Sequence, residues 1–138
     1  GLTLDVGGGG QRVLPPPHGK ARFPGEVPVE ARLQGGRVEV FNLMWRRGRV
    51  DARLWHRPLV GSVLLFADPG TRWAAHVVAG RMTVDGGRAL PLLERGDSVV
   101  LEAGHGRARY ALEGSGELLL VQVTPVAQAA ATAGPDAQ

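Results

Sequence analysis

Nearly all of the basic side chains in this sequence are arginines, which donate paired hydrogen bonds that fit a carboxylate. In FNLMWRRG, Asn42, Met44 and Arg46 stand at alternate positions, so a strand through them would place the three side chains on one face. Arg107, in GHGRARY, is a second arginine at the junction of a turn and a strand pattern. The chemistry that these residues could perform is the binding of a small carboxylate.

A turn upstream of this stretch would complete such a pocket. Phe23, Pro24 and Gly25 are expected to form a loop that faces the Asn42–Arg46 strand. Arginines at strand ends also commonly point into solvent, and an amide such as that of Asn42 can satisfy a backbone group there. The residues alone leave both interpretations open.

The four histidines show no arrangement that predicts catalysis. His76 lies in an apolar strand pattern, where a packed and hydrogen-bonded imidazole is the usual role. His105 stands beside glycines in a turn and is expected to face water, while His18 and His56 have no partner at a recognisable spacing. The chain has no cysteine, which excludes disulfides and thiolate chemistry, and no Ser–His–Asp order or paired carboxylates stand out.

Length and composition limit the class of protein. The 138 residues, 43% of them hydrophobic, can bury one sizeable core. The formal net charge is only +3, and the arginine run from Arg46 is interrupted by Asp51 and by alternating apolar residues, so nucleic-acid binding is not expected. With no long apolar stretch and no signal-peptide pattern, we expect a soluble cytoplasmic domain that does not bind membranes.

Period-two alternation of apolar and polar residues dominates the chain and predicts about nine strands, separated by glycine-rich turns. So many short strands, with 21 glycines and 10 prolines, indicate an all-β sandwich or barrel. The predicted strands cover residues 26–33, 37–44, 49–55, 62–67, 74–80, 81–85, 97–102, 107–114 and 117–123.

Two segments of the sequence follow the same order of features. The opening LTLDVGGGGQRVLP and the later RMTVDGGRALP each continue through a turn, a strand, a glycine pair and a last apolar strand. The later copy is preceded by strands that the first copy lacks, which indicates a duplicated module whose first copy starts part-way through. We therefore expect a partial first module over 1–43, a complete second module over 44–124, and a disordered tail over 125–138.

This organisation predicts open sheet edges in the first module. The strands LTLD and VEARL are expected to lack their neighbours within this chain, and unpaired strand edges recruit other chains. The expected partners are the module's own missing N-terminal segment, or a second copy in a dimer.

The second copy resembles the two motifs of the cupin barrel. VVAGRMTVDGG, LLERGDSVVLEAGHGRARYAL and ELLLVQVTP follow the cupin order of a hydrophobic strand ending in glycine, a GD turn, and a glycine- and histidine-containing turn before the next strand. Gly86–Gly87 and Gly96–Asp97 suit hairpins that need positive φ. The resemblance implies an antiparallel cupin-like, RmlC-like β-barrel or jelly roll.

A narrower resemblance is carried by FPGEVPVEARLQGGRVEVFNLMWRRGR, residues 23–49. This stretch is similar to the HutD/Ves family, bacterial two-cupin proteins encoded with histidine-utilisation genes. The resemblance extends to about Val123, but the family's N-terminal portion has no counterpart in the sequence. It implies a fragment, or a second polypeptide that supplies the missing half.

The cupin resemblance also implies where a metal would bind. Counted from Gly80, the upstream ligand positions fall near Ala67, Pro69 and Trp73, and the last position, counted from Gly104, is Arg107. None of these four side chains is a metal ligand. We therefore expect no bound metal and no cofactor.

Three functions remain. The resemblance implies a non-catalytic regulator of histidine utilisation that binds a small anion such as urocanate or formylglutamate. The alternatives are a cupin-type isomerase or hydrolase with a metal-free site completed by the missing half, and an interaction module that pairs through a barrel edge. The sequence lacks a ligand triad and a nucleophile, which favours the first.

Overall fold

The computed structural model describes residues 1–86 and 90–126. The chain divides into two compact units, Gly1–Met44 and Trp45–Gln138, here called the first and second units. The hairpin glycine Gly87 and the predicted tail from residue 127 onward lie outside the described residues. The module boundaries proposed from the repeat stay a prediction.

The first unit contains a three-stranded antiparallel sheet of order β2–β1–β3, with β1 at Leu2–Val6, β2 at Gly10–Leu14 and β3 at Val29–Leu33. The alternation in LTLDV directs three apolar side chains to one face, where they are buried. They are Leu2, Leu4 and Val6, and Leu14, Ala21, Val27, Val29 and Val38 pack against them.

The expectation that LTLD lacks neighbours is wrong. β1 is the central strand of its sheet, with β2 paired along one edge and β3 along the other. The glycine-rich turn at Gly7–Gly9 returns the chain directly onto β1, so a local hairpin supplies one of the two neighbours. VEARL forms β3, which pairs with β1 along one edge.

The strand predicted over residues 37–44 is also wrong, because residues 37–46 are not in a strand. The stretch alternates well, but a strand also needs a neighbour for its backbone hydrogen bonds. Both edges of β1 are already paired, and no described ladder includes residues 37–46.

The second unit is built from three long strands and two short ones. They are β4 (Val50–Ala67), β5 (Arg72–Asp85), β6 (Leu93–Glu94), β7 (Ser98–Glu102) and β8 (Ala108–Pro125). Each long strand joins two of the predicted strands into one continuous element. β8 pairs antiparallel with β4 along the whole length of both, and with β5 on its other side.

Glycines interrupt the three long strands at a common level. Gly61 on β4 lies opposite Gly114 on β8, and Gly80 on β5 lies opposite Gly116, all four with positive φ. On one side of these glycines the pairing order is β4–β8–β5–β7, and on the other side it is β4–β8–β5–β6. The two halves of each long strand thus belong to two layers, as in a jelly roll.

A single apolar core fills the space between these layers. Leu59 and Leu65, from opposite halves of β4, are buried in the same cluster as Leu112 and Leu118, from opposite halves of β8. The halves must therefore face each other across the core. The prediction of an all-β antiparallel fold is confirmed. Within the described residues, no helix is both long and apolar enough to cross a membrane.

Candidate functional site

A pocket of about 320 Å³ opens between the two halves of β4 in the second unit. Its walls come from both halves of β4, from the start of β5 and from β8. The lining residues are Trp55, Arg57, Val63, Leu64, Leu65, Phe66, Trp73 and Leu120. Mostly apolar walls with one charged group are typical of small-molecule sites, and the volume lies at the lower end of their range.

Two indoles and the Phe66 ring form the aromatic part of the wall. The ring centroids of Trp55 and Trp73 lie 5.7 Å apart, and their planes are inclined by 31°. The Nε1 of Trp73 donates a hydrogen bond of 3.0 Å to the carbonyl oxygen of Phe66. The indole N–H is thereby satisfied, and the apolar ring surface remains to line the pocket.

Arg57 is the one charged residue that lines this pocket. It alternates with Trp55 and Leu59 along β4, but unlike the buried Leu59 it is exposed, so it lines the pocket from the solvent side. Within residues 1–86 and 90–126, its side chain takes part in no ion pair or hydrogen bond. The guanidinium is therefore available to a ligand carboxylate.

Arg107 lies against the outside of the pocket wall. Its guanidinium carbon is 4.7 Å from the centroid of the Phe66 ring, and its Nε is 3.6 Å from Oδ1 of Asp68. The side chain is mostly exposed. Arg107 thus contacts a residue that lines the pocket, and it already has a carboxylate partner.

The other site residues predicted from the sequence occupy exposed positions. Phe23, Pro24 and Gly25 form an exposed turn in the first unit, in which the Pro24 carbonyl accepts a hydrogen bond from the Val27 amide. Asn42 and Met44, also in the first unit, are exposed and lie outside any strand, so the shared strand face expected for them does not form. Arg46 belongs to the second unit and is exposed. Their part in ligand binding stays a prediction.

His76 and His56 have structural partners. His76 is half-buried, and its Nδ1 lies 2.7 Å from Oγ of Ser98 on β7, which agrees with the expected hydrogen-bonded role. His56 Nε2 lies 3.4 Å from Oε2 of Glu117 across β4 and β8. The sequence spacing did not reveal this second pair, because its members are distant in sequence and diagonal rather than directly opposite in the ladder.

Comparison with known proteins places this fold in a family. The HutD family model matches residues 1–120. The chain belongs to the HutD family. Together with the antiparallel strand pairing, this membership confirms the cupin-like β fold predicted from the sequence. A search of curated protein sequences gave no match.

Solved structures similar to this HutD-family chain share little sequence with it. The conserved protein of unknown function PA5104 from Pseudomonas aeruginosa PAO1 is similar with a TM-score of 0.62 and 16% identity, over 91% of this chain and 64% of that one. The chain thus spans less than two thirds of that protein's length. A de novo designed double-stranded beta-helix, solved by NMR, has a TM-score of 0.41 and 17% identity, over 54% of this chain and 97% of that one. Protein NMB1881 from Neisseria meningitidis has a TM-score of 0.38 and 16% identity, over 57% and 76%.

The four positions that the cupin resemblance implied for metal ligands lie at different kinds of place in this HutD-family member. Ala67 is fully buried, Trp73 is part of the pocket wall, and Arg107 contacts Phe66. Pro69 is exposed between β4 and β5. An apolar wall with an arginine can bind and orient an anion, but these residues supply no metal ligands.

The three residues that define the pocket were not predicted as site residues. Trp55 ends a predicted strand, Arg57 follows that strand, and Trp73 was considered only as a position implied by the cupin resemblance for a metal ligand. The available signal was the position of Arg57 in LWHRPLV, where it alternates with a tryptophan and a leucine. This signal is weak, because an exposed arginine between apolar residues is also common on a solvent-facing strand.

Proposed function

We propose that this chain is a non-catalytic, small-molecule-binding regulatory protein of the HutD type, which controls histidine utilisation by binding a small carboxylate such as urocanate or formylglutamate. The observation that supports this proposal is Arg57, which lines an otherwise apolar pocket and makes no ion pair or hydrogen bond with the residues that the structure describes. The link to histidine utilisation is supported by the HutD family membership.

The geometry supports binding more than catalysis. An arginine fork supplies hydrogen bonds and charge for an anion, but at neutral pH it does not transfer a proton. The pocket lining contains no histidine, carboxylate, serine or other nucleophile. A group that binds without reacting suits a protein that senses a metabolite.

Calorimetric titration of the purified chain with urocanate and with formylglutamate tests the proposal. We expect binding of at least one of them, and Arg57→Gln should weaken it by about 10- to 150-fold, equivalent to the loss of about 1.5–3 kcal/mol for a charge-assisted hydrogen bond. Arg53→Gln is the matched control, because Arg53 is on the same strand, does not line the pocket, and lies 4.0 Å from Asp51.

Two results would contradict the proposal. One is the absence of binding to both acids at millimolar concentration by the folded chain. The other is an equal loss of affinity in Arg57→Gln and Arg53→Gln, which would attribute the effect to net charge rather than to the pocket.

A further inference from the structure

The second half of the long strand β4, residues 62–67, is an open sheet edge and is here called the 62–67 edge. We infer that it is an interface at which two copies of this chain pair edge to edge, antiparallel, around a two-fold axis. The inference does not assume that the pocket binds a ligand, so it stands or falls separately from the proposed function.

The backbone of β4 is paired along one side only. In the part of the chain that the structure describes, β8 is its one ladder partner, so the backbone groups along its other side pair with no strand. The carbonyl of Phe66 accepts the indole hydrogen bond of Trp73, which leaves that carbonyl a second lone pair. An unpaired edge of this kind is a template for a strand from another chain.

The two halves of β4 differ in how this edge is protected. The first half carries charged side chains at Arg53 and Arg57 and ends next to Pro58, and charges and prolines on an edge discourage pairing with other chains. Residues 59–67 contain no charge and no proline. The 62–67 edge is therefore the part of β4 that accepts another strand.

The outer face of this half-strand is apolar. Leu65 and Ala67 are buried, whereas Leu64 and Phe66, which alternate with them, have exposed fractions of 46% and 42%. An added strand would pair the backbone and also cover these two side chains, as in other cases of strand addition to a sheet. Both side chains line the β4 pocket, so a second copy bound here would border that pocket.

The 62–67 edge is complementary to a second copy of itself. The open stretch runs from the positive-φ glycine within β4 to the last residue of the strand, so its midpoint is Leu64. Antiparallel pairing about this midpoint places Leu64 opposite the partner's Leu64, and Phe66 opposite the partner's Ser62. No charges oppose each other in these pairs, and both copies use the same patch, as a two-fold interface requires.

The neighbouring strand adds charge complementarity. On β8, Arg109 lies beside Phe66 and Glu113 lies beside Ser62 in the ladder, and both charged residues are exposed. In the paired arrangement, the two outer rows of side chains each begin with Arg109 of one copy and end with Glu113 of the other. Three strand spacings, about 14 Å, make this attraction weak, but a partner with like charges in these rows would be repelled. The charges thus favour a second copy as the occupant.

Single cysteines can map this interface on the full chain, because the sequence has no cysteine of its own. Leu64→Cys places a thiol at the two-fold axis, where the two Cβ atoms would lie about 5 Å apart, within reach of a disulfide or a short bifunctional thiol reagent. Val60→Cys is the matched control, because Val60 is 92% exposed but its two copies would be more than about 20 Å apart. We expect at least about tenfold more covalent dimer from Leu64→Cys than from Val60→Cys.

Sedimentation equilibrium measures the same interface without cross-linking. Leu64→Lys would place two like charges opposite each other at the axis, so it should raise the dissociation constant of the dimer at least about tenfold. Val60→Lys should change this constant by less than about twofold. If a lysine variant does not fold, the comparison of the two cysteine variants still decides the question.

Three results would each overturn this inference. They are equal cross-linking of Leu64→Cys and Val60→Cys, a monomer at the highest accessible protein concentration, and self-association that Leu64→Lys leaves unchanged. The third result would assign the association to another surface, such as the sheet edges of the first unit.

Discussion

Substitution of Gly116 tests how the long strands of the second unit are arranged. A Cβ built on Gly116 would lie 1.9 Å from the carbonyl oxygen of Ala79 on β5, and the residue has a φ of 147°. Gly116→Ala therefore combines a backbone conformation that suits only glycine with a collision against a neighbouring backbone. Neither can be relieved by rotating a side chain, because both contacting atoms are fixed by the β5–β8 ladder.

The expected loss of stability follows from these two effects. An alanine held in such a φ region costs about 1–3 kcal/mol, and displacement of packed neighbours typically costs about 1–3 kcal/mol more. The free energy of unfolding should therefore fall by about 2–6 kcal/mol. For a urea dependence of about 2 kcal/mol/M, the unfolding midpoint would move down by about 1–3 M.

Urea unfolding followed by tryptophan fluorescence measures this change. Trp45, Trp55 and Trp73 all belong to the second unit, so the signal reports on the unit that contains Gly116. Gly104→Ala is the matched control, because a Cβ there meets nothing within 4 Å and its φ is not in the positive range. It should change the free energy of unfolding by no more than about 0.5 kcal/mol.

Equal midpoints for the two alanine variants would refute this account of the fold. They would mean that β5 and β8 are far enough apart at Gly116 to accept a side chain, and that the positive φ there is not required. The inferred sharing of each long strand between two layers would then lose its main support.

The remaining predictions concern the outer surface of the molecule. Arg107→Ala should weaken the binding of urocanate or formylglutamate less than Arg57→Gln does, because Arg107 contacts the pocket only through the Phe66 ring; an equal or larger loss, measured by calorimetry, would instead indicate direct pairing with the ligand. Arg46→Ala should change the free energy of unfolding by about 0.5 kcal/mol or less. If this exposed arginine contributes to the site, the same variant should weaken carboxylate binding by about 1.5–3 kcal/mol. Unchanged affinity in calorimetry would show that Arg46 is not part of the site. The edge strands of the first unit carry Val13 and Leu33, each 63% exposed. We therefore expect the chain to self-associate in sedimentation experiments, and Val13→Lys to reduce the self-association. A monomer at high concentration would contradict this prediction. Elemental analysis of protein purified without chelator should find less than one equivalent of transition metal, and a full equivalent retained through dialysis would contradict that prediction.

Several strands of this protein could be predicted from sequence because they bury one face. In LTLDV, alternation places the apolar residues on one side, and the glycines that follow mark where that pattern stops. The stretch 37–44 shows the limit of this reasoning, since its alternation is equally clear but no neighbouring strand is paired with it. Pairing is a property of the whole sheet and is not encoded in one stretch.

The candidate site was less predictable than the fold for a related reason. The sequence directed attention to Arg46 and Arg107 because they lie at turns, whereas the arginine on the pocket wall lies within a long strand. Its importance depends on Trp73, which comes from another strand, and on Gly61, whose positive φ lies between the two halves of β4 that line the pocket. Those relations exist only after the chain has folded.

The ladder between β4 and β8 also has consequences for how the chain is made. The ladder partners that are nearest in sequence, Ala67 and Ala108, are separated by about 40 residues, and the most distant pair is Val50 with Pro125. Pairing over such separations is slow, because loop closure must precede the contacts that stabilise it. On a ribosome, all 18 residues of β4 emerge long before β8, including the uncharged VLLF segment. This interval is the period in which the nascent chain is most exposed to aggregation and most dependent on chaperones.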